Sequence, residues 1–191
     1  MFGWFMSKSS PEKSCKWLSS TLWAVALMGI AAAAGVPDRV RRIGFCAPAA
    51  HLAALATGAP CVAEADGYRL VGPGLDLEVV PACAAVDFYC LLVGFLSILL
   101  SWHGWPRVVQ LAVLPMAWVI TVVANAVRLT SCWQVDRWAR MALPEALWPG
   151  LHMAVGVATF LLALTIVFWG FTRRKTGVAS HNSGGHNDGN A

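Results

Sequence analysis

The chain has 191 residues, of which 58% are hydrophobic and 13% charged, with a formal net charge of +4. A soluble domain is typically about half apolar and a quarter charged, and here the apolar excess falls in blocks, which points to an integral membrane protein. Basic residues are spread along the chain with no dense patch and no interleaved aromatics, which argues against nucleic-acid binding. Six dispersed cysteines make no CxxC and no Cys/His cluster with zinc spacing, so no metal site and no cofactor is expected.

Residues 1–16 carry Lys8, Lys13 and Lys16 and read as a cytoplasmic N-terminus. The first apolar segment, residues 17–36 (Trp17–Val36), ends in "AAAAG" and serves either as a retained anchor or as a signal peptide. Its length favours the anchor, and in both cases the next segment lies across the membrane. That segment, residues 37–82, is not lipid-like. "PAAHLAALATG" has the 3.6-residue period of a short helix ended by Gly58. "GYRLVGPGLDLEVV" alternates around Gly72-Pro73-Gly74 and reads as a hairpin. Together they form an extracytoplasmic cap, in which Cys46 and Cys61 are either a disulfide or two buried thiols.

Three further spans follow at Ala84–Ser101, Val108–Val127 and Leu151–Phe171. Pro115 should kink the second of these or be tolerated by neighbouring helices. Residues 83–171 would form a three-helix membrane core. Residues 172–191 read as a disordered cytoplasmic tail, in which His181 and His186 are solvated rather than metal-binding. The expected fold is an all-α integral membrane protein with about four transmembrane helices. A small cap, a short helix plus a hairpin, lies between the first and second. Basic residues divide seven against seven between the two sides. Charges close to span ends weigh most, and "WHGWPR" and "TRRK" then place both termini inside, with Arg39, Arg41 and Arg42 as contrary charges.

Cys83 enters the second span, Arg128 leaves the third and His152 enters the fourth. Cys83 to Trp102, Arg107 to Arg128 and His152 to Arg173 are each 19–21 residues apart, roughly 28–32 Å of helix. All three side chains therefore belong to one depth at the outer edge of the membrane. Singly, each has an ordinary explanation: a packed thiol, an arginine snorkelling to phosphates, an interfacial imidazole. Jointly they are the parts of an acyl-transfer site for peptide bonds. A thiolate attacks, a histidine takes and returns the proton, and an arginine holds the oxyanion. Asp87 lies four residues after Cys83 and, on a continuous helix, would share its face. It either pairs with Arg128 or His152 and orients it, or only hydrogen-bonds the cap or interfacial water.

"ACAAVDFY", "NAVRLTS" and "LHMAVGVATFLLAL", in this order at the outer ends of successive spans, resemble the exosortase/archaeosortase family. The resemblance covers roughly residues 81–171 and is nearest to the small exosortase K type. It implies a membrane-embedded cysteine transpeptidase that cuts C-terminal sorting signals of the PEP-CTERM kind from exported proteins. Cys83 would be the nucleophile, with Arg128 and His152 beside it, and Asn125 would support them as the first residue of the arginine motif. Partners would be those exported proteins and the surrounding lipid. The site would face the periplasm or exterior from a multi-pass position in the inner membrane. Two departures stand out: the family's usual Ser-Gly after the cysteine is Ala84-Ala85 here, and many members have about twice as many spans. Two other readings fit four spans with outward cysteines: a membrane thiol-disulfide oxidoreductase, and a non-enzymatic assembly factor.

Overall fold

The computed structural model describes residues 11–35, 37–72, 75–142, 144 and 147–178. The chain runs α1 (Pro11–Gly35), α2 (Asp38–Val40), a π-helical turn (Arg41–Cys46) and α3 (Ala47–Thr57). Strands β1 (Cys61–Ala63), β2 (Tyr68–Gly72) and β3 (Leu75–Val79) follow, then a 3-10 turn (Pro81–Cys83). Four helices complete it: α4 (Val86–Trp102), α5 (Arg107–Gln110), α6 (Val113–Ala142) and α7 (Trp148–Val178).

Among the described residues three helical segments are long and apolar enough to cross a membrane: Pro81–Trp102, Arg107–Ala139 and Gly150–Arg173. A fourth exists only as a pair, Ser19–Ala34 with Asp38–Thr57, bent by 90°. Sequence alone implies one straight first span. The break falls between Ala34 and Asp38, and within it Pro37 is extended, with φ −65° and ψ 129°. Outward surfaces are apolar: Val25, Ile30, Val123, Leu162 and Ile166 are all exposed. In water such a surface drives association, whereas lipid accepts it.

The core is a seam of small and branched residues. α1 packs along α4, α4 along α6, and α6 along α7. Leu27 and Ala31 of α1 meet Leu92, Val93 and Leu96 of α4 in one buried cluster. The approach is close enough that a Cβ on Gly94 would lie 2.3 Å from the Met28 sulfur. α7 is peripheral, with only 6% of its apolar window buried.

One end of the bundle is tied by polar and aromatic contacts. Arg107 hydrogen-bonds Ser19 and sits 5.9 Å over the Trp23 ring. The His103 and Phe171 rings are 6.5 Å apart. The C-terminal ends of α4 and α7 and the start of α5 therefore share a level with Ser19 and Trp23 of α1. The N-terminal ends of α4 and α7 lie at the opposite end.

The described part of residues 37–82 holds α3 and a three-stranded antiparallel sheet. α3 stops at Gly58, whose φ of 71° is left-handed and whose N–H caps Ala54 at 2.8 Å. β2 and β3 pair antiparallel from Tyr68↔Val79 to Gly72↔Leu75. β1 adds a third strand, Cys61↔Leu70 to Ala63↔Tyr68, which "CVA" is too short to announce.

Several boundaries differ from the sequence reading. α4 begins at Val86 rather than Ala84. α6 does not end at Val127 but runs on to Ala142. Pro115 makes no interior kink: the helix breaks earlier, at Leu111–Ala112, and Pro115 falls in the first turn of α6, where no N–H is needed. α7 continues to Val178, so the tail expected from residue 172 is helical in its first part; His181 and His186 lie outside the described residues. Cys46 and Cys61 are free thiols and do not form a disulfide. Cys46 is fully buried and its Sγ donates to the Val80 carbonyl at 3.3 Å.

Candidate active site

Cys83 closes a single 3-10 turn started by Pro81, whose ring presets the φ that such a turn needs. Its N–H bonds to the Val80 carbonyl at 2.8 Å. The same carbonyl takes the Cys46 thiol, so the turn is braced from the buried face. Ala84 is buried behind it. The chain then reverses hand: Ala85 has φ 53° and ψ 31°, the only positive φ at a non-glycine among the described residues. The first hydrogen bond of α4 runs from Tyr89 N–H to the Ala85 carbonyl at 3.0 Å.

That reversal corrects the expected place of Asp87. Cys83 and Asp87 are not on one continuous helix, so they do not share a face. Asp87 is the second residue of α4, exposed, in the first turn where a helix's free N–H groups favour a carboxylate. Among the described residues no ion pair joins it to Arg128 or His152.

Asn125 holds the cysteine turn. Its Nδ2 donates to the Cys83 carbonyl at 2.7 Å, linking α6 to the segment before α4. Asn125 is 1% exposed, so the bond is shielded from water. Its Oδ1 has no hydrogen-bond partner.

Arg128 lies one turn further along α6. Its guanidinium carbon is 5.7 Å over the Phe160 ring, and its buried Nε has no hydrogen-bond partner. The arm crosses Gly156 of α7, where a Cβ would come to 3.0 Å from Nε. Hydrogen in place of a side chain makes the passage. Phe160 in turn stacks on Phe88 of α4, centroids 4.3 Å apart and 16° from parallel. Arg128 is thereby packed against both α7 and, through Phe160, α4.

His152 is one turn before Gly156 on α7. Its Nδ1 is 3.8 Å from Asp136 Oδ2, and its backbone carbonyl is 3.9 Å from Cys132 Sγ. Because α6 and α7 are antiparallel, Arg128 meets Gly156 while Cys132 and Asp136 meet His152. Arg128, Cys132 and Asp136 are spaced i, i+4, i+8, a single stripe along α6. Sequence reasoning missed Asp136 by ending the third span at Val127. The stripe spacing was the signal that would have found it.

A groove of about 490 Å³ runs beside these residues, within the size range of ligand sites. One wall is the cysteine turn (Ala82, Ala84, Ala85) and the other is α7 (Gly156, Phe160), with Arg128 between. Asp87 and Arg41 also line it. Cys83 and His152 are each next in sequence to a lining residue but do not form its wall. Among the described residues no hydrogen bond or ion pair joins the Cys83 thiol, the Arg128 guanidinium and the His152 imidazole to one another; Arg128 packs on Phe160 and His152 faces Asp136. No group of three or more His, Cys, Asp or Glu able to hold a metal ion occurs among the described residues. No family model, curated protein or solved structure matches the chain.

Proposed function

We propose that the protein is a membrane-embedded cysteine transpeptidase of the exosortase kind, acting on exported proteins that carry a C-terminal sorting signal. The carrying observation is the 2.7 Å hydrogen bond from Asn125 to the Cys83 carbonyl. It fastens the cysteine turn to the helix that carries Arg128, two segments that sequence brings together only by depth and by resemblance. The left-handed backbone at Ala85 supports the same reading, since the family's usual residue there is glycine, the residue suited to that conformation.

In the proposed cycle His152 takes the Cys83 thiol proton. The thiolate attacks the carbonyl carbon of the scissile peptide, and Arg128 donates to the tetrahedral oxyanion. Collapse expels the amine, which takes the proton back from His152, and leaves a thioester on Cys83. An acceptor amine or water then attacks that thioester, and Cys83 leaves as the thiol. The Cys83 end of the bundle faces the outside of the inner membrane, and the Arg107 and Arg173 end faces the cytoplasm.

The test is processing of a reporter ending in a short motif, an apolar span and a basic cluster, reconstituted with the purified protein in liposomes. Cleavage by wild type and none by Cys83→Ala, with Cys90→Ala and Cys132→Ala largely active, supports the reading. Cleavage by Cys83→Ala at the wild-type rate overturns it.

A further inference from the structure

We infer that Asp136 is a positioning residue for His152; this rests on the reading of His152 as the proton carrier for Cys83. Two observations carry it. The carboxylate oxygen Oδ2 of Asp136 is 3.8 Å from Nδ1 of His152, with the two side chains 34% and 44% exposed. The pair bridges two helices, and the register between them is fixed independently at two adjoining levels. Cys132 touches the His152 carbonyl, and Arg128 lies across Gly156.

The chemistry follows from which ring nitrogen faces the carboxylate. A neutral imidazole carries one proton. A carboxylate beside Nδ1 keeps that proton on Nδ1, which leaves the Nε2 lone pair as the basic atom. When the Cys83 S–H bond breaks, its proton goes to Nε2 and the imidazolium's charge is balanced by Asp136; when the amine leaves, the N–H bond at Nε2 breaks and the proton goes with it. Asp136 exchanges no proton in either step. Its distance from Nδ1 is that of an ion pair rather than a direct hydrogen bond, and such contacts tighten when substrate fills a site. Asp87, the carboxylate expected for this work, is on another helix and unpaired with His152.

The experiment uses the full chain in nanodiscs and reads alkylation of each cysteine by N-ethylmaleimide, resolved by mass spectrometry, so that it needs no substrate. Cys61, in β1, is the internal control for folding. Asp136→Asn should slow alkylation of Cys83 on the order of tenfold and leave Cys61 unchanged. Asp136→Glu, which keeps the charge, should recover most of the rate. In a His152→Ala background, Asp136→Asn should produce no further slowing, because a residue that acts through the imidazole has nothing left to act on. Equal slowing by Asp136→Asn with and without His152 would overturn the inference and mark Asp136 as a packing residue. So would a wild-type rate in Asp136→Asn when His152→Ala is slow. A wild-type rate in His152→Ala overturns the role of His152 itself, and this outcome is distinct from the other two.

Discussion

Asn125 and Cys83 are 42 positions apart and are joined by one hydrogen bond, side-chain amide to backbone carbonyl, at 2.7 Å. The bond acts on the peptide rather than the thiol. It therefore sets where the cysteine turn sits against α6 and leaves the sulfur unengaged by Asn125. Asn125→Ala removes the donor and leaves a buried carbonyl without its partner, at a cost of about 1–3 kcal/mol. Asn125→Asp keeps the shape, but an ionised carboxylate cannot donate, so it should be at least as damaging. Thermal unfolding in detergent checks this: both variants should melt below wild type, and an unshifted Asn125→Asp would mean that the bond contributes nothing.

Ala85 offers the opposite sign. A left-handed residue with a Cβ costs about 1–2 kcal/mol, and glycine removes that strain while adding about 0.5–1 kcal/mol of unfolded-state entropy. Ala85→Gly should stabilise the protein by up to about 1 kcal/mol, read as a raised melting temperature. Ala85→Val should lower it, because branching at Cβ makes the left-handed conformation worse.

Gly156 and Arg128 form a coupled pair. In Gly156→Ala the new methyl would stand 3.0 Å from Nε, which the long arginine arm accommodates by a small shift. In Gly156→Leu it does not. Reporter cleavage should fall modestly in the first and collapse in the second, while both proteins still insert. Arg128→Lys keeps the charge but loses the planar fork of donors. Under the proposed mechanism it should lose about 2.7–4 kcal/mol of transition-state stabilisation, and full activity in that variant would reduce Arg128 to an anchor.

The sheet gives a pH prediction away from the membrane. Arg69 Nε and Nη2 hold both Asp76 oxygens, at 2.7 and 2.8 Å, and this fork keeps the Asp76 carboxyl below its ordinary value. A depressed carboxyl contributes stability that is present above its unfolded value and lost as pH falls through the folded one. The β2–β3 pairing should therefore lose this support only in acid, below the ordinary carboxylate range. A carboxyl NMR titration should show Asp76 returning to that range in Arg69→Gln; no change between the two proteins would show that the fork is not formed in solution.

The apolar blocks were legible because lipid-length helices impose a long run that nothing else in the sequence imitates. Gly58 and Gly72 were legible as punctuation, since each occurs where a regular period stops; Pro73 and Gly74 lie outside the described residues. The break at Ala85 was not, because an alanine carries no outward sign of a left-handed backbone. The placement of Asp87 failed for the same reason: the four-residue spacing was sound, but the helix it assumed starts three residues after Cys83. Arg128 and His152 were singled out by depth, whereas Asp136 was passed over when a single arginine was read as the end of a helix. The 90° bend at Pro37 was visible only as a proline, and the direction of the chain beyond it depends on packing of α3 against α6 that no local pattern encodes.

The loose seating of α7 has a consequence for biosynthesis. α7 is synthesised after α4 and α6, and it touches the rest of the bundle mainly along α6, with Phe160 and Phe168 reaching Phe88 and Phe95 of α4. On the proposed reading, a nascent chain that has already inserted Cys83 and Arg128 still lacks the His152 imidazole. On that same reading, ribosome stalling or premature termination before residue 152 leaves an inert polypeptide in the bilayer, and activity begins only when α7 clears the translocon and docks.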